Sequence, residues 1–208
     1  MIEWFSKGGM TMWFLLACAV LGLAIIIERL YTIFVKMRVN VKSFTPKLLQ
    51  AIDSEGIKAG IEYCDRTPSP VAKVLKAGLE KADRGSDVVE DALVRAGAGE
   101  LSFLDRGMSL LSGLVTVAPF FGFLGTVTGM IGAFAAVAAV GEVEPTVVAS
   151  GISEALITTQ AGLIIAAPLA IIHILLSGRV NGYLRDMERA STELLEYLAD
   201  KQHCELKK

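Results

Sequence analysis

Charge is nearly missing from three long stretches of this 208-residue chain. Met10–Ile27 and Met108–Val140 contain no Asp, Glu, Lys or Arg, and Val147–Ser177 contains Glu154 alone. Such runs exclude an ordinary soluble domain, whose surface needs charge throughout. Cysteine is also scarce: Cys18, Cys64 and Cys204 form no CxxC pair and have no adjacent histidine. That count and spacing exclude a disulfide framework or a metal-knuckle site, so no metal or cofactor is expected. No basic run gathers the 20 Lys and Arg into a nucleic-acid-binding face. HExxH, paired aspartates, and a serine or cysteine with a matched base are likewise absent, and no enzymatic activity is expected.

What is present is 53% hydrophobic residues in blocks of membrane-spanning length. A hydrocarbon core of about 30 Å needs roughly 20 apolar residues in a helix. The chain is therefore predicted to be an all-α integral membrane protein with three transmembrane helices. The second and third exceed the bilayer's requirement and are expected to tilt or to extend into an inner helical region. The first block lacks a small-residue cleavage site and runs into Glu28-Arg29, so it is expected to remain as an anchor. Near the span ends, Arg29, Lys36, Arg38, Lys42, Arg95 and Arg106 fall between spans one and two, and Arg179, Arg185 and Arg189 follow span three. The Gly141–Thr146 connection holds only Glu142 and Glu144. Positive-inside bias places the N-terminus outside and both polar parts inside, with Trp4 and Trp13 as outer anchors.

These signals divide the chain into residues 1–35 (outer N-terminus and first span), 36–106 (inner helical domain), 107–140 (second span), 141–146 (outer connection), 147–178 (third span) and 179–208 (inner C-terminal helix). In the inner domain, Thr45-Pro46 and Ser69-Pro70 each offer an N-cap followed by proline at the first helical position. The second of these precedes an expected helix over Val71–Ala82. Asp83-Arg84-Gly85 should stop that helix, and Ser86 should cap the next. In the tail, Val180, Leu184, Met187, Ser191, Leu194 and Leu198 form one heptad stripe, suited to packing on the inner helices or to self-association.

Gly122, Gly125, Gly129 and Gly132 recur at three- and four-residue spacing on the second span, a stripe that lets helix backbones approach closely in lipid. Glu154 stands out because a carboxylate at membrane depth costs at least about 2.5–3.5 kcal/mol, which favours a watery or protein-lined position and a function. Ser150, Glu154 and Thr158 are four apart and share a face, making a polar line; the plainer alternatives are a protonated, hydrogen-bonded glutamate packed between helices, or one near the outer interface just past the connection. Thr159 lies about 140° around the helix from Glu154. Thr126 and Thr128 add hydroxyls to the second span, where bonding to a carbonyl one turn back is the plainest account of a threonine. His173 suits a helix-to-helix hydrogen bond better than a proton relay, and Pro119 and Pro168 are expected to bend or open their helices.

Ala118-Pro119-Phe120-Phe121-Gly122-Phe123-Leu124-Gly125-Thr126-Val127-Thr128-Gly129-Met130-Ile131 resembles the APLLGLLGTVTGMI block of the ExbB/TolQ/MotA proton-channel family. GISEALITTQAGL at Gly151–Leu163, followed by Ala166-Ala167-Pro168, resembles that family's GISEALxTTAxGLxxAIP block, and Gly9–Trp13 with Ile27–Leu30 fits its first span. The likeness stands nearest to the ExbB branch. Phe14, Gln160 and His173 depart from the usual pattern, and the shared motifs do not separate an ExbB from a TolQ or a gliding-motor relative. The resemblance implies a multi-pass protein of the bacterial inner membrane with a periplasmic N-terminus and a cytoplasmic helical region. It implies a homopentamer around a dimer of single-span ExbD/TolR-like partners, among membrane lipids, that drives a TonB-like periplasmic protein as protons pass a partner aspartate. Carried over by position, Thr126 and Thr159 match the pore threonines and Glu154 the pore-proximal glutamate. A different class of function, a passive membrane scaffold for a partner, would make Glu154 a packing residue.

Overall fold

A computed structural model describes residues 8–36, 41–140 and 145–206; Trp4, Arg38, Glu142 and Glu144 lie outside the described residues. Among the described residues all regular structure is helical. In chain order these elements are α1 (Thr11–Leu30), a π-helical turn (Tyr31–Lys36), α2 (Val41–Glu55), α3 (Ile57–Asp65), α4 (Pro70–Leu79), a 3₁₀ turn (Ala82–Arg84), α5 (Ser86–Leu104), α6 (Met108–Val140) and α7 (Pro145–Leu206). The helices hold three stretches long and apolar enough to cross a membrane. α6 and α7 run through Pro119 and Pro168 without a break in helical assignment.

Two compact units divide the chain: residues up to Glu28 with Gly107–Leu175, and Arg29–Arg106 with residues from Leu176 onward. In the first unit α1 buries one stripe, Thr11, Leu15, Cys18, Gly22 and Ile26, at the three- and four-residue spacing of a single helical face. Leu15 and Cys18 meet Leu114 and Ala118 of α6 and Ala166 of α7 in a core flanked by Met12, Ile25, Phe121, Ala161 and Ile165. The Phe14 ring stacks on Phe121 at a centroid distance of 5.2 Å. Each membrane-length stretch leaves most of its apolar residues uncovered by the rest of the described chain. A helix that is apolar all round but covered on one side needs lipid or further protein on the others.

The second unit is built from short amphipathic helices around Leu48, Ile52, Leu75, Leu79, Leu93 and Leu194, all nearly or fully buried. Ser69 caps α4 as expected: its hydroxyl accepts from the Ala72 amide at 3.0 Å, and Pro70 occupies the first turn. Three local expectations need correction. Pro46 sits inside α2, which starts at Val41, before the expected Thr45 cap. So near a helix start, proline withdraws a donor from only the opening carbonyls. α4 ends at Leu79, short of Ala82, and Asp83-Arg84 belong to the 3₁₀ turn. Gly85, at φ 97°, supplies the cap position, and Ser86 is the first residue of α5 with no side-chain cap. The tail stripe of α7 packs inward, with Val180, Met187, Leu194 and Leu198 buried. The Tyr197 hydroxyl bonds to Asp53, whose carboxylate also lies 3.7 Å from the Lys201 ammonium.

Arg29 is a charged side chain with 3% exposure. Its guanidinium donates to the carbonyls of Phe103 at 3.1 Å and Leu104 at 3.3 Å. A cation there satisfies the carbonyls left over at the end of α5 and sits at the negative pole of that helix.

Candidate functional site

The predicted glycine stripe is the line along which α6 meets α7. A Cβ on Gly122 would lie 3.0 Å from the Thr158 carbonyl and 3.2 Å from the Thr159 Cα. One on Gly129 would lie 3.1 Å from the Gly151 carbonyl, and one on Gly125 would collide with the Thr158 side chain. Gly132 does not join this seam, because a Cβ there meets nothing within 4 Å. Among the described residues, the fourth position of the stripe therefore has no close partner. α7 answers with two glycines of its own, Gly151 and Gly162, which stand outside the expected stripe. A Cβ on Gly162 would lie 2.8 Å from the Ala118 carbonyl, and one on Gly151 would lie 3.0 Å from the Gly129 carbonyl. Their eleven-residue separation, three turns at 3.6 residues each, was the available signal.

Backbone contact at this range lets hydroxyls reach across. Thr126 Oγ1 on α6 and Thr159 Oγ1 on α7 are hydrogen-bonded to one another. Thr159 Oγ1 also lies within donating distance of the Gly122 carbonyl at 3.1 Å, and Thr126 Oγ1 of the Ala155 carbonyl at 3.1 Å. Both threonines are half-buried. Two hydroxyls bring two protons to these three contacts, so one contact goes without a proton at any instant and the donor roles can trade. The pair can turn a lone pair outward while both protons stay on the seam; a proton turned outward gives up one of the contacts between the helices.

Thr158 is fully buried, and its hydroxyl donates to the Ala155 carbonyl at 2.9 Å on its own helix. It fills the seam against Gly125 instead of continuing the Ser150–Glu154 line into open space. Ser150 and Glu154 do face open space. With Thr128, Thr146, Gly129 and Gly132 they line a recess of about 760 Å³, closed on one side by Met10, Thr11 and Phe14 of the α1 end. The described lining of the recess is largely apolar, and Glu154 on α7 is the one carboxylate among those residues. Thr128 returns its hydroxyl to the Leu124 carbonyl at 3.0 Å, the local bond expected of a helical threonine. Gln160 is exposed and His173 half-buried. Among the described residues no group of three or more His, Cys, Asp or Glu converges as a metal site would.

The profile of the MotA/TolQ/ExbB proton channel family matches residues 66–189, more than half of the chain. The chain belongs to this family. That match takes in Thr126, Ser150, Glu154, Thr158 and Thr159 and all of α6; α1 lies outside it. An ExbB homolog of Methanothermobacter thermautotrophicus, described as a biopolymer transport protein, is 29% identical over 191 residues, covering 90% of this chain and 66% of its own. The biopolymer transport protein exbB1 of Vibrio cholerae is 32% identical over 165 residues, covering 77% of this chain and 72% of its own. An ExbB-like protein of Synechocystis is 30% identical over 181 residues, covering 85% and 71%. This MotA/TolQ/ExbB family chain thus spans just under two thirds of the length of the Methanothermobacter relative. Membership and the three apolar helices make it a membrane protein of a proton-channel family.

Proposed function

We propose that this chain is the ring-forming subunit of an inner-membrane motor driven by the proton-motive force. Its assembly would be a homopentamer enclosing a dimer of ExbD/TolR-like single-span subunits, and its output the energising of TonB-dependent transport across the outer membrane. The observation that carries this reading is the Thr126–Thr159 hydroxyl pair, which joins the two helices inside the region matched to the proton-channel family. The chain offers one acidic side chain in the matched part of α7's apolar stretch, Glu154, and among the described residues lining the recess it is the one carboxylate. The carrier is accordingly assigned to the partner: its carboxylate takes a proton from the outer side and crosses as the neutral acid. It meets Glu154 and Ser150 at the recess and the hydroxyl pair beyond. Hydroxyls suit such a wall, because they donate to an ionised carboxylate and accept from a protonated one without changing charge themselves. The N-terminus and the 141–146 connection are taken to be periplasmic, and residues 36–106 and 179–208 cytoplasmic.

Replacing Thr159 by Val removes the donor to Gly122 while keeping the shape, and Glu154→Gln removes the charge. Both variants are expected to assemble normally and to lose proton-driven uptake when co-expressed with the partner. Full uptake in either would sink the motor reading. The passive-scaffold reading draws support from Thr158, whose hydroxyl is satisfied on its own helix and whose side chain fills the seam. It requires the opposite split, in which Glu154→Gln weakens assembly and leaves proton dependence untouched. A TolQ-like or gliding-motor assignment shares the same wall and differs in client, which the single-span partner and its neighbours would reveal.

A further inference from the structure

Two consecutive glycines precede α1 and lie against α7, and the second of them meets its polar line. A Cβ on Gly8 would first collide with the Met12 side chain and would sit 3.4 Å from Thr158 Cγ2, and one on Gly9 would sit 2.5 Å from Glu154 Oε1 and 3.6 Å from its Cδ. Gly9 also has φ +62°, in the left-handed region where a side chain is strained. The other left-handed glycines among the described residues separate these two demands. Gly56 and Gly85 have nothing within 4 Å of a Cβ, and Gly107 has only an Ile25 methyl at 3.6 Å. They are turn glycines, needed for backbone conformation. Gly9 is needed for conformation and for room, and the atom that claims the room is a carboxylate oxygen.

We propose that Gly9 is a positioning residue for Glu154. Without a side chain at that position, the start of α1 closes over the carboxylate and sets how far it projects into the recess lined by Ser150 and Thr128. The backbone is pinned there by Thr11, whose hydroxyl donates to the Gly8 carbonyl at 3.1 Å and whose side chain is buried. The closeness has a specific consequence for substitution. Glu154 meets Gly9 with the far end of a flexible side chain, so an added methyl displaces the carboxylate into the open recess sooner than it displaces the helix. Position changes more than stability does. The functional consequence rests on the proposed role of Glu154 in the proton path; the positioning itself does not.

The test uses the full chain in its membrane, with partner. Glu154 is labelled by a water-soluble carbodiimide and an amine, and the modified peptide is quantified by mass spectrometry in wild type, Gly9→Ala and Gly9→Asn. Asparagine tolerates left-handed φ, so it relieves backbone strain while keeping the Cβ. Both variants are expected to raise the labelling rate severalfold at unchanged membrane abundance, whereas Gly97→Ala, in open space on α5, leaves it as in wild type. Uptake lost in Gly9→Ala should be partly restored by adding Glu154→Asp, which withdraws the carboxylate by one methylene. Unchanged labelling in both Gly9 variants, or a change in Ala that Asn does not share, would overturn the proposal. A clear rise in labelling with uptake intact would uphold the positioning and overturn the role of Glu154 in proton flow.

Discussion

Single positions in this fold differ sharply in what they tolerate, and the α6–α7 seam gives the cleanest contrast. At Gly162 an added Cβ meets the Ala118 carbonyl and the Gly122 Cα, which are backbone atoms that cannot swing aside. Gly162→Ala is expected to cost about 1–3 kcal/mol through overpacking, read as a lower melting temperature in detergent. Gly132→Ala, with nothing within 4 Å, should be neutral or gain up to about 1 kcal/mol from helix propensity. An equal loss at both would remove the distinction drawn between them. Cys64 is a second position with a definite expectation. Burial first, then the neighbouring Asp65 charge, push its thiol up from 9.0 to about 12, while Lys76 opposes them. Maleimide should therefore leave it unmodified at pH 8 in the folded protein and react once the unit is unfolded. Because the folded thiol holds its proton more tightly than the unfolded one, its contribution to stability is complete below pH 9 and is lost between pH 9 and about 12. The stripe itself was legible in the sequence as far as Gly122, Gly125 and Gly129. Which glycine lacked a neighbour was not, since spacing defines a face and says nothing of where the opposing helix leaves it.

Elements were legible in proportion to how local their causes are. The α4 start is written in two adjacent residues, and the structure has the Ser69 hydroxyl on the Ala72 amide with Pro70 behind it. Ser69→Ala should cost ~1 kcal/mol, measurable as a shift in the denaturation of the polar unit, with Ser69→Asp retaining most of the stability. The α2 start was misplaced because Thr45 is itself buried and helical, so tertiary packing outweighed its capping preference. Ser86 lost the cap position to Gly85, whose left-handed φ lets the chain turn before α5 begins. Among the site residues, the Thr126–Thr159 contact depends on two helices 33 positions apart in sequence coming within backbone distance. Helical periodicity placed Thr159 away from Glu154 correctly. Only the three-dimensional seam shows that its hydroxyl is spent on the other helix, and that Thr158 is enclosed.

For the molecule as a whole, composition was the most informative signal: uncharged runs of membrane length became the three apolar helices, and the charged remainder became short helices with their own core. The apolar surface left uncovered within the chain implies integration in a bilayer. The protein is expected to stay with membranes through alkaline carbonate extraction and to need detergent for release; recovery in the soluble fraction would contradict it. The proposed orientation has its own measurement. A single cysteine placed at Glu142 should react with an impermeant maleimide from outside intact spheroplasts, and one at Glu196 only after the membrane is opened, in a background free of the native cysteines. Arg29 adds a matter of timing. The two carbonyls that receive its guanidinium belong to residues 74 and 75 positions further along the chain. At ribosomal speeds of about 5–20 residues per second, those acceptors are made roughly 4–15 s after the arginine itself. The cation ending the first apolar segment therefore leaves the ribosome well before its partners exist, and the end of α5 can be closed only after that segment has been handed to the insertion machinery.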